Sequence, residues 1–240
     1  MCKENDSNFV FAELKSLMQM RRIGNIKRYG LFAILHPQSV SSHVAHVVSL
    51  AYLICKNEKQ IGEMHISEEL LNKVLVAALY HDTEEIYSGD IPYTFKRDGL
   101  SNILKSKCKD KLEHYMINEN GVCNVWESVY SGWLLAHYIC GEVDDAADDK
   151  FLGDVVASAD MLELCLFCYE EYRLGNKTIL EVLYRGLKIL RDYDFIFVKI
   201  VRNQILRLLF SSFGDDNKNA LSIEKHLDKA LYVVEQEKVL

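Results

Sequence analysis

The chain has 240 residues, of which 26% are charged, and its formal net charge is −7. This length supplies one substantial hydrophobic core or two small ones. The negative charge argues against non-specific binding to a nucleic-acid polymer. Only two prolines occur, and apolar residues recur at helical spacing over long stretches. We therefore predict an all-α protein with a single domain over residues 1–240.

The cysteines and the hydropathy pattern bear on the compartment. The seven cysteines are scattered and odd in number, which is typical of a reducing cytosol. Cys165 and Cys168 form one C-x-x-C pair inside a helical pattern, and buried thiols are the favoured interpretation over a zinc site. We recognise no signal peptide and no apolar run long enough to span a bilayer. The sequence therefore predicts a cytoplasmic protein without a membrane partner.

A first helix is predicted over residues 9–20, and a basic cluster follows it. Its members are Arg21, Arg22, Lys27 and Arg28. Arg28 precedes Tyr29 and Gly30, where the chain is expected to turn. A planar guanidinium binds phosphate through two parallel hydrogen bonds. Arg28 is therefore the functional candidate of the cluster, and Arg21 and Arg22 are interpreted as a solvated helix end.

The next predicted helix follows His36 and Pro37. Ser39 or Ser41 can cap its first turn. The helix carries His43 and His46 among apolar residues at helical spacing. Either histidine could bind a ligand, and spacing alone does not choose between them. Residues 56–64 are polar and are predicted to form a loop.

The most informative stretch runs from residue 67 to residue 92. Ser67 and two glutamates begin a helix with an apolar stripe at Leu71, Val74, Leu75 and Ala78. Continued past Ala78, that stripe reaches Asp82 and Glu85, with His81 beside it. Burying an ionised group without a partner is costly, so one explanation is a metal ion held by imidazole and carboxylate. The alternative is an exposed helix end with His81 packed or hydrogen-bonded.

Turn residues and further helices complete the chain. Gly89 and Pro92 end the helix and place Asp90 in a constrained turn. Asp160 lies among small and apolar residues, where it is either a salt-bridged core acid or a metal ligand. The remaining predictions are a lysine-rich segment over 95–120, helices over 126–140 (with His137 packed) and 152–172, an acidic loop over 141–150, and scaffold or subunit-contact helices over 181–191, 195–210 and 223–239.

The order of His43, His81-Asp82 and Asp160 resembles the H…HD…D signature of HD-domain metal-dependent phosphohydrolases. Neighbouring motifs resemble the bacterial 5′-deoxynucleotidase subfamily over about residues 9–210, leaving 211–240 as a C-terminal helical extension. These motifs are Arg28-Tyr29-Gly30, Ser39-Val40-Ser41-Ser42-His43, His81-Asp82-Thr83-Glu84-Glu85, Gly89-Asp90-Ile91-Pro92 and Ala159-Asp160. The resemblance implies an HD-domain helical bundle with a metal site between helices, and a homodimer.

The resemblance also implies roles for individual residues. One divalent metal ion (Co²⁺, Mn²⁺ or Zn²⁺) is held by His43, His81, Asp82 and Asp160. Glu85 and Asp90 are catalytic. Arg28, Tyr29 and Asp90 bind the nucleotide substrate. The family has tryptophan at the position of Tyr29, where it helps to exclude a ribose 2′-hydroxyl, so the chain departs from the family at this position.

Three functions are compatible with these residues. The first is hydrolysis of (deoxy)nucleoside 5′-monophosphates to nucleoside and orthophosphate. The second uses the same metal site to release triphosphate from deoxynucleoside triphosphates, with lysines in residues 96–111 contacting a longer phosphate chain. The third is a non-catalytic helical interaction protein. Product analysis separates the first two functions, and the bound metal content tests the third.

Overall fold

The computed structural model describes residues 18, 21–82, 85–90, 146–210 and 220–237. The predictions for residues 9–17, 95–120, 126–140 (with His137) and 141–145 lie outside these ranges. Within these ranges, all the regular secondary-structure elements are helices, and a single antiparallel bridge joins Lys27 to Ser39. The predicted all-α fold is therefore confirmed.

Seven α-helices occur in the described ranges: α1 (Val40–Gln60), α2 (Glu68–Tyr80), α3 (Glu85–Ser88), α4 (Ala146–Arg173), α5 (Leu180–Ile189), α6 (Ile196–Phe210) and α7 (Ala220–Glu237). Short 3₁₀ helices are formed by Arg21–Asn25, Lys177–Ile179 and Leu190–Asp192. Within the described ranges, none of the helices combines enough length and apolar character to cross a membrane.

The described chain falls into two compact units. Unit 1 contains residues 21–31, 37–48, 68–82, 85–90 and 146–153. Unit 2 contains residues 32–36, 49–67, 154–210 and 220–237. Helices α1 and α4 each contribute residues to both units. The single domain over residues 1–240 stays a prediction.

Unit 1 has a small apolar core around the start of α1. Ile23, Val40 and Val44 are buried there, and partly buried residues pack against them: Ile26, Val48 and Ile86. Segments 26–28 and 38–40 pair antiparallel, because the Val40 amide donates to the Ile26 carbonyl and the Arg28 amide to the Gln38 carbonyl, both at 2.9 Å. This pairing lies directly at the start of α1.

Helix α2 begins with Glu68 and Glu69 in its first turn, as predicted. Its buried face is formed by Leu70, Lys73, Val74, Ala77 and Ala78, so the predicted stripe is rotated about the helix axis. The helix ends at Tyr80, and its pattern does not continue as helix to Asp82 and Glu85. Of the predicted stripe, Val74 and Ala78 are buried and Leu71 and Leu75 are half-buried. The predicted continuation of the helix was wrong, because apolar spacing does not mark where a helix ends.

Two further helix boundaries differ from the prediction. The polar residues 56–60 are helical and belong to α1. Among them Glu58 is buried, and its carboxylate accepts the Ile196 amide at 2.6 Å. Residues 146–150 belong to α4 rather than to an acidic loop. The predicted helix end at Gly175 is confirmed, with a φ of +103°.

Unit 2 has a leucine-rich core within α4, α5, α6 and α7. Its fully buried members include Leu162, Leu183, Leu187, Leu206 and Leu227. Helix α7 packs against α5 and α6, and Lys188 of α5 pairs with Asp228 of α7 at 3.1 Å. Part of the region predicted as a C-terminal extension thus belongs to the core of unit 2.

Helix α5 packs very closely on α4 at Gly186. A Cβ added there would lie 2.7 Å from Cys165 Sγ and 3.1 Å from Leu164 Cδ2. Cys165 and Cys168 are both buried and outside any disulfide, as predicted. A short, enclosed side chain such as Cys165 has little room to move. Gly186 is therefore required by the close approach of the two helices.

We expect Gly186→Ala to destabilise the protein although alanine favours helix. Overpacking costs about 1–3 kcal/mol, which exceeds the gain of roughly 1 kcal/mol in helix propensity. Gly153→Ala is the matched control, since Gly153 is exposed in α4 and its added Cβ meets nothing within 4 Å. Thermal unfolding should show a lower Tm for the first variant and an equal or higher Tm for the second. Equal Tm gains in both would contradict the close packing.

Buried Glu171 ties the loop over residues 32–36 to unit 2. Its carboxylate accepts the Leu35 and His36 amides, each at 2.7 Å, and the Asn176 side-chain amide at 2.9 Å. Burial alone would raise the pKa of Glu171, but these hydrogen bonds outweigh it and hold the pKa below its ordinary value. The ionised carboxylate is therefore the form that stabilises the fold.

We expect Glu171→Gln to lower the free energy of unfolding by about 1–3 kcal/mol at pH 7, because the glutamine NH₂ would face a donor. A lowered folded-state pKa contributes stability above the unfolded value of about 4.5, and this contribution is lost as the pH falls through the folded pKa. Urea unfolding at several pH values should show the difference from wild type shrinking in acid. Exposed Glu170 supplies the control, Glu170→Gln, which should show no comparable difference.

Candidate functional site

His43 lies in the first turn of α1. Ser39 precedes the helix, and its hydroxyl accepts the Ser42 amide at 3.2 Å, so of the two predicted caps Ser39 makes the bond. This cap sets where the helix begins and therefore which side chains face inward. His43 is fully buried, whereas His46 on the same helix is exposed. Burial thus separates two histidines that sequence spacing left equivalent.

His81 and Asp82 follow the last turn of α2. The Nδ1–H of His81 donates to the Ala78 carbonyl at 2.7 Å. Since a carbonyl only accepts, Nδ1 carries a proton, and in the neutral ring Nε2 carries the lone pair. The contact satisfies a carbonyl that the helix end would otherwise leave without an intrahelical partner. It also orients the ring as a metal-binding histidine is normally oriented.

The three side chains of the expected motif converge within unit 1. Asp82 Oδ2 lies 3.4 Å from His43 Nε2 and 3.3 Å from His81 Nε2. The two imidazole rings are 5.4 Å apart between centroids, with ligand atoms within 4.8 Å of one another. Two imidazole nitrogens and a carboxylate oxygen suit a first-row divalent cation. Asp160 lies half-buried on α4 in unit 2, and its place among the ligands stays a prediction.

Arg28 borders this group. Its Nη1 contacts Nδ1 of His43, and 11% of its side chain is exposed. A guanidinium only donates, so Nδ1 accepts in this contact and the ring proton is on Nε2. Ligation of a cation through Nε2 requires the opposite tautomer. The Arg28–His43 hydrogen bond and ligation through Nε2 are therefore alternatives for the same ring.

Tyr29 adopts a left-handed backbone conformation that side chains rarely occupy, with φ of 62°. Its amide donates to Asp90 Oδ2 at 2.8 Å, and Asp90 Oδ1 lies 4.0 Å from Arg28 Nε. The Arg28 guanidinium stacks over the Tyr29 ring, 5.1 Å from its centroid. Gly89, with φ of +70°, shapes the turn that presents Asp90. The structure therefore brings Arg28, Tyr29 and Asp90 together.

Glu85 is 1% exposed and begins α3. Its amide donates to the Asp82 carbonyl at 3.1 Å, which ties the start of this short helix to the histidine–aspartate turn. Glu85 and Asp82 are thus held in one turn of backbone. The catalytic roles of Glu85 and Asp90 stay predictions.

Sequence analysis missed Gln38. Only 6% of this residue is exposed, and its Oε1 accepts Arg28 Nη1 at 3.3 Å. The antiparallel pairing that places it beside Arg28 extends one residue on each side of the Lys27–Ser39 bridge, too few to leave an alternating pattern. Glu171 was also missed, since its partners Leu35 and His36 are about 135 residues earlier in the chain.

Within the described residues the fold is helical and a sequential His-Asp pair lies against a second histidine, the arrangement expected of an HD-domain phosphohydrolase. A family model described as 5′-deoxynucleotidase YfbR-like matches residues 15–209. The chain belongs to this family. It is accordingly an enzyme, an HD-domain phosphohydrolase of the 5′-deoxynucleotidase type, as the sequence motifs predicted.

Individual relatives agree with this assignment. A 5′-deoxynucleotidase of Vibrio parahaemolyticus is 26% identical over 161 residues, covering 65% of this chain and 74% of the relative. One from Enterobacter sp. is 24% identical over 163 residues, covering 67% and 74%. The crystal structure of an HD-domain phosphohydrolase from Listeria innocua aligns with a TM-score of 0.62 at 18% identity, over 90% of this chain and 98% of that one. The structural likeness shows the fold.

Proposed function

We propose that this protein hydrolyses (deoxy)nucleoside 5′-monophosphates to nucleoside and orthophosphate. The observation that carries the proposal is the convergence of His43, His81 and Asp82, with the Arg28 guanidinium beside them. A phosphate-binding cation beside a metal-binding group suits phosphate ester hydrolysis. Family membership supports the same reaction.

The proposed metal ligands are His43, His81, Asp82 and Asp160. The donor set fits Co²⁺, Mn²⁺ or Zn²⁺. When bound, such an ion polarises the phosphoryl group and favours ionisation of water. The hydrogen bond from His81 Nδ1 to Ala78 keeps Nε2 directed at Asp82, so the chain itself orients one ligand for the ion.

The remaining side chains act on the substrate. Arg28 binds the phosphate and offsets the charge that develops on its oxygens. Asp90 holds the Arg28–Tyr29 turn through the Tyr29 amide. Glu85 and Asp90 transfer the protons of the reaction: water forms a bond to phosphorus, the bond from phosphorus to the 5′-oxygen breaks, and that oxygen is protonated.

The buried Tyr29 ring lies beneath Arg28. A homodimer and a cytoplasmic location stay predictions.

Product analysis tests the reaction. Purified protein loaded with Co²⁺ or Mn²⁺ is offered dAMP, AMP and dATP separately. Orthophosphate from dAMP with little from AMP is the expected result for a deoxyribose-selective monophosphatase. Equal release from both nucleotides would retain the reaction and remove the sugar preference. Release of triphosphate from dATP without hydrolysis of dAMP would contradict the proposal and identify the protein as a deoxynucleoside triphosphate triphosphohydrolase.

Metal content tests the ligand set separately from turnover. We expect Asp82→Ala and Asp160→Ala to abolish both bound metal and activity, because each removes a charged ligand. Glu85→Ala should lose activity by at least about 100-fold and retain metal. The two histidines of α1 provide a matched pair: His43→Ala should lose metal, and His46→Ala should keep it. Elemental analysis after dialysis measures each. Wild-type turnover in Glu85→Ala would remove its catalytic role.

A further inference from the structure

Gln38 faces Arg28 because of the backbone pairing between segments 26–28 and 38–40. Lys27 bridges to Ser39, so Arg28 is directly opposite Gln38 in the antiparallel pair. Directly opposed residues project their side chains to the same side, about 4.5–5.5 Å apart between Cβ atoms. The Arg28 amide donates to the Gln38 carbonyl at 2.9 Å. Gln38 therefore fixes the backbone from which the arginine side chain extends.

The two side chains are also joined. Arg28 Nη1 donates to Gln38 Oε1 at 3.3 Å, and both residues are largely enclosed. Since a guanidinium has no acceptor, the amide atom that faces it must be the oxygen. Gln38 thus holds Arg28 at two points, one on the main chain and one at the tip of the side chain.

The neighbours of Arg28 differ in what they do to its charge. Asp90, 4.0 Å from Nε, carries a negative charge that offsets part of it. His43 can accept from Arg28 only in one tautomer. Gln38 Oε1 is an acceptor in either case and carries no net charge. The hydrogen bond to Gln38 therefore leaves the positive charge of Arg28 available to attract an anion.

We propose that Gln38 is a positioning residue that orients the Arg28 guanidinium for the substrate's phosphate without itself adding a neutralising charge. This inference rests on the proposed function, in which Arg28 binds that phosphate. In this proposal, the effect of Gln38 on phosphate binding passes through Arg28. Removal of Gln38 should therefore weaken phosphate binding in the presence of Arg28 and do nothing in its absence.

The experiment is a double-mutant cycle on the metal-loaded protein, with inorganic phosphate as the probe in calorimetry and dAMP as substrate. We expect Gln38→Met, which keeps the length but removes the acceptor, to raise the Kd for phosphate and the KM for dAMP about tenfold, the effect of one hydrogen bond to a charged group. Gln38→Glu keeps the acceptor and adds a negative charge, so it should also raise the Kd, with a Tm near that of wild type. In an Arg28→Ala background, neither substitution should change the Kd further.

Lys27→Gln is the matched control, because Lys27 is the adjacent, exposed residue of the same pair and should leave both constants near wild type. A Tm loss in the Gln38 variants with unchanged Kd and KM would show a merely structural role and overturn the inference. The same loss of affinity in the Arg28→Ala background would overturn it too. An Arg28→Ala protein with wild-type phosphate affinity would remove the phosphate-binding role of Arg28 itself, and with it the Gln38 inference.

Discussion

Two backbone hydrogen bonds fix the geometry on which the candidate site depends. They pair Ile26 with Val40 and Arg28 with Gln38, at the point where α1 begins. Because Ser39 lies within this pairing and also caps the helix, the pairing and the helix share one register. The arginine and His43 are therefore positioned by the same few residues of backbone. A shift of one residue would turn Arg28 to the opposite side of the pair.

The site is built mainly from residues at helix ends and in turns. His81 and Asp82 follow the end of α2, Glu85 begins α3, and Asp90 follows the left-handed Gly89. At such positions the backbone has groups that the helix does not satisfy, and side chains are free to orient away from the packed faces. The helices supply rigidity while the polar groups converge at their ends, which suits a site for a cation and an anionic substrate.

How far the sequence predicted this arrangement depends on the range of each interaction. His81 and Asp82 were found because polar residues ended an apolar run, yet the helix end was misplaced, since periodicity alone does not mark where hydrogen bonding stops. Lys73 is buried on α2, although lysine is rarely buried and its residue type therefore predicts an exposed position. Gln38 and Glu171 could not be found, because their importance comes from partners brought near only by folding. Apolar periodicity predicts helices, because it is local in the sequence. Hydrogen bonds between residues far apart in the chain leave no such pattern in the sequence.

The packing of α7 has a consequence for synthesis of the protein. Residues 220–237 leave the ribosome after α5 and α6, yet Leu227 and Leu231 of α7 are buried within unit 2. The apolar faces of α5 and α6 are consequently uncovered during the interval before α7 emerges. Exposed apolar surface on a nascent chain favours aggregation and chaperone binding. Unit 2 therefore completes its core only after this last described helix has been synthesised.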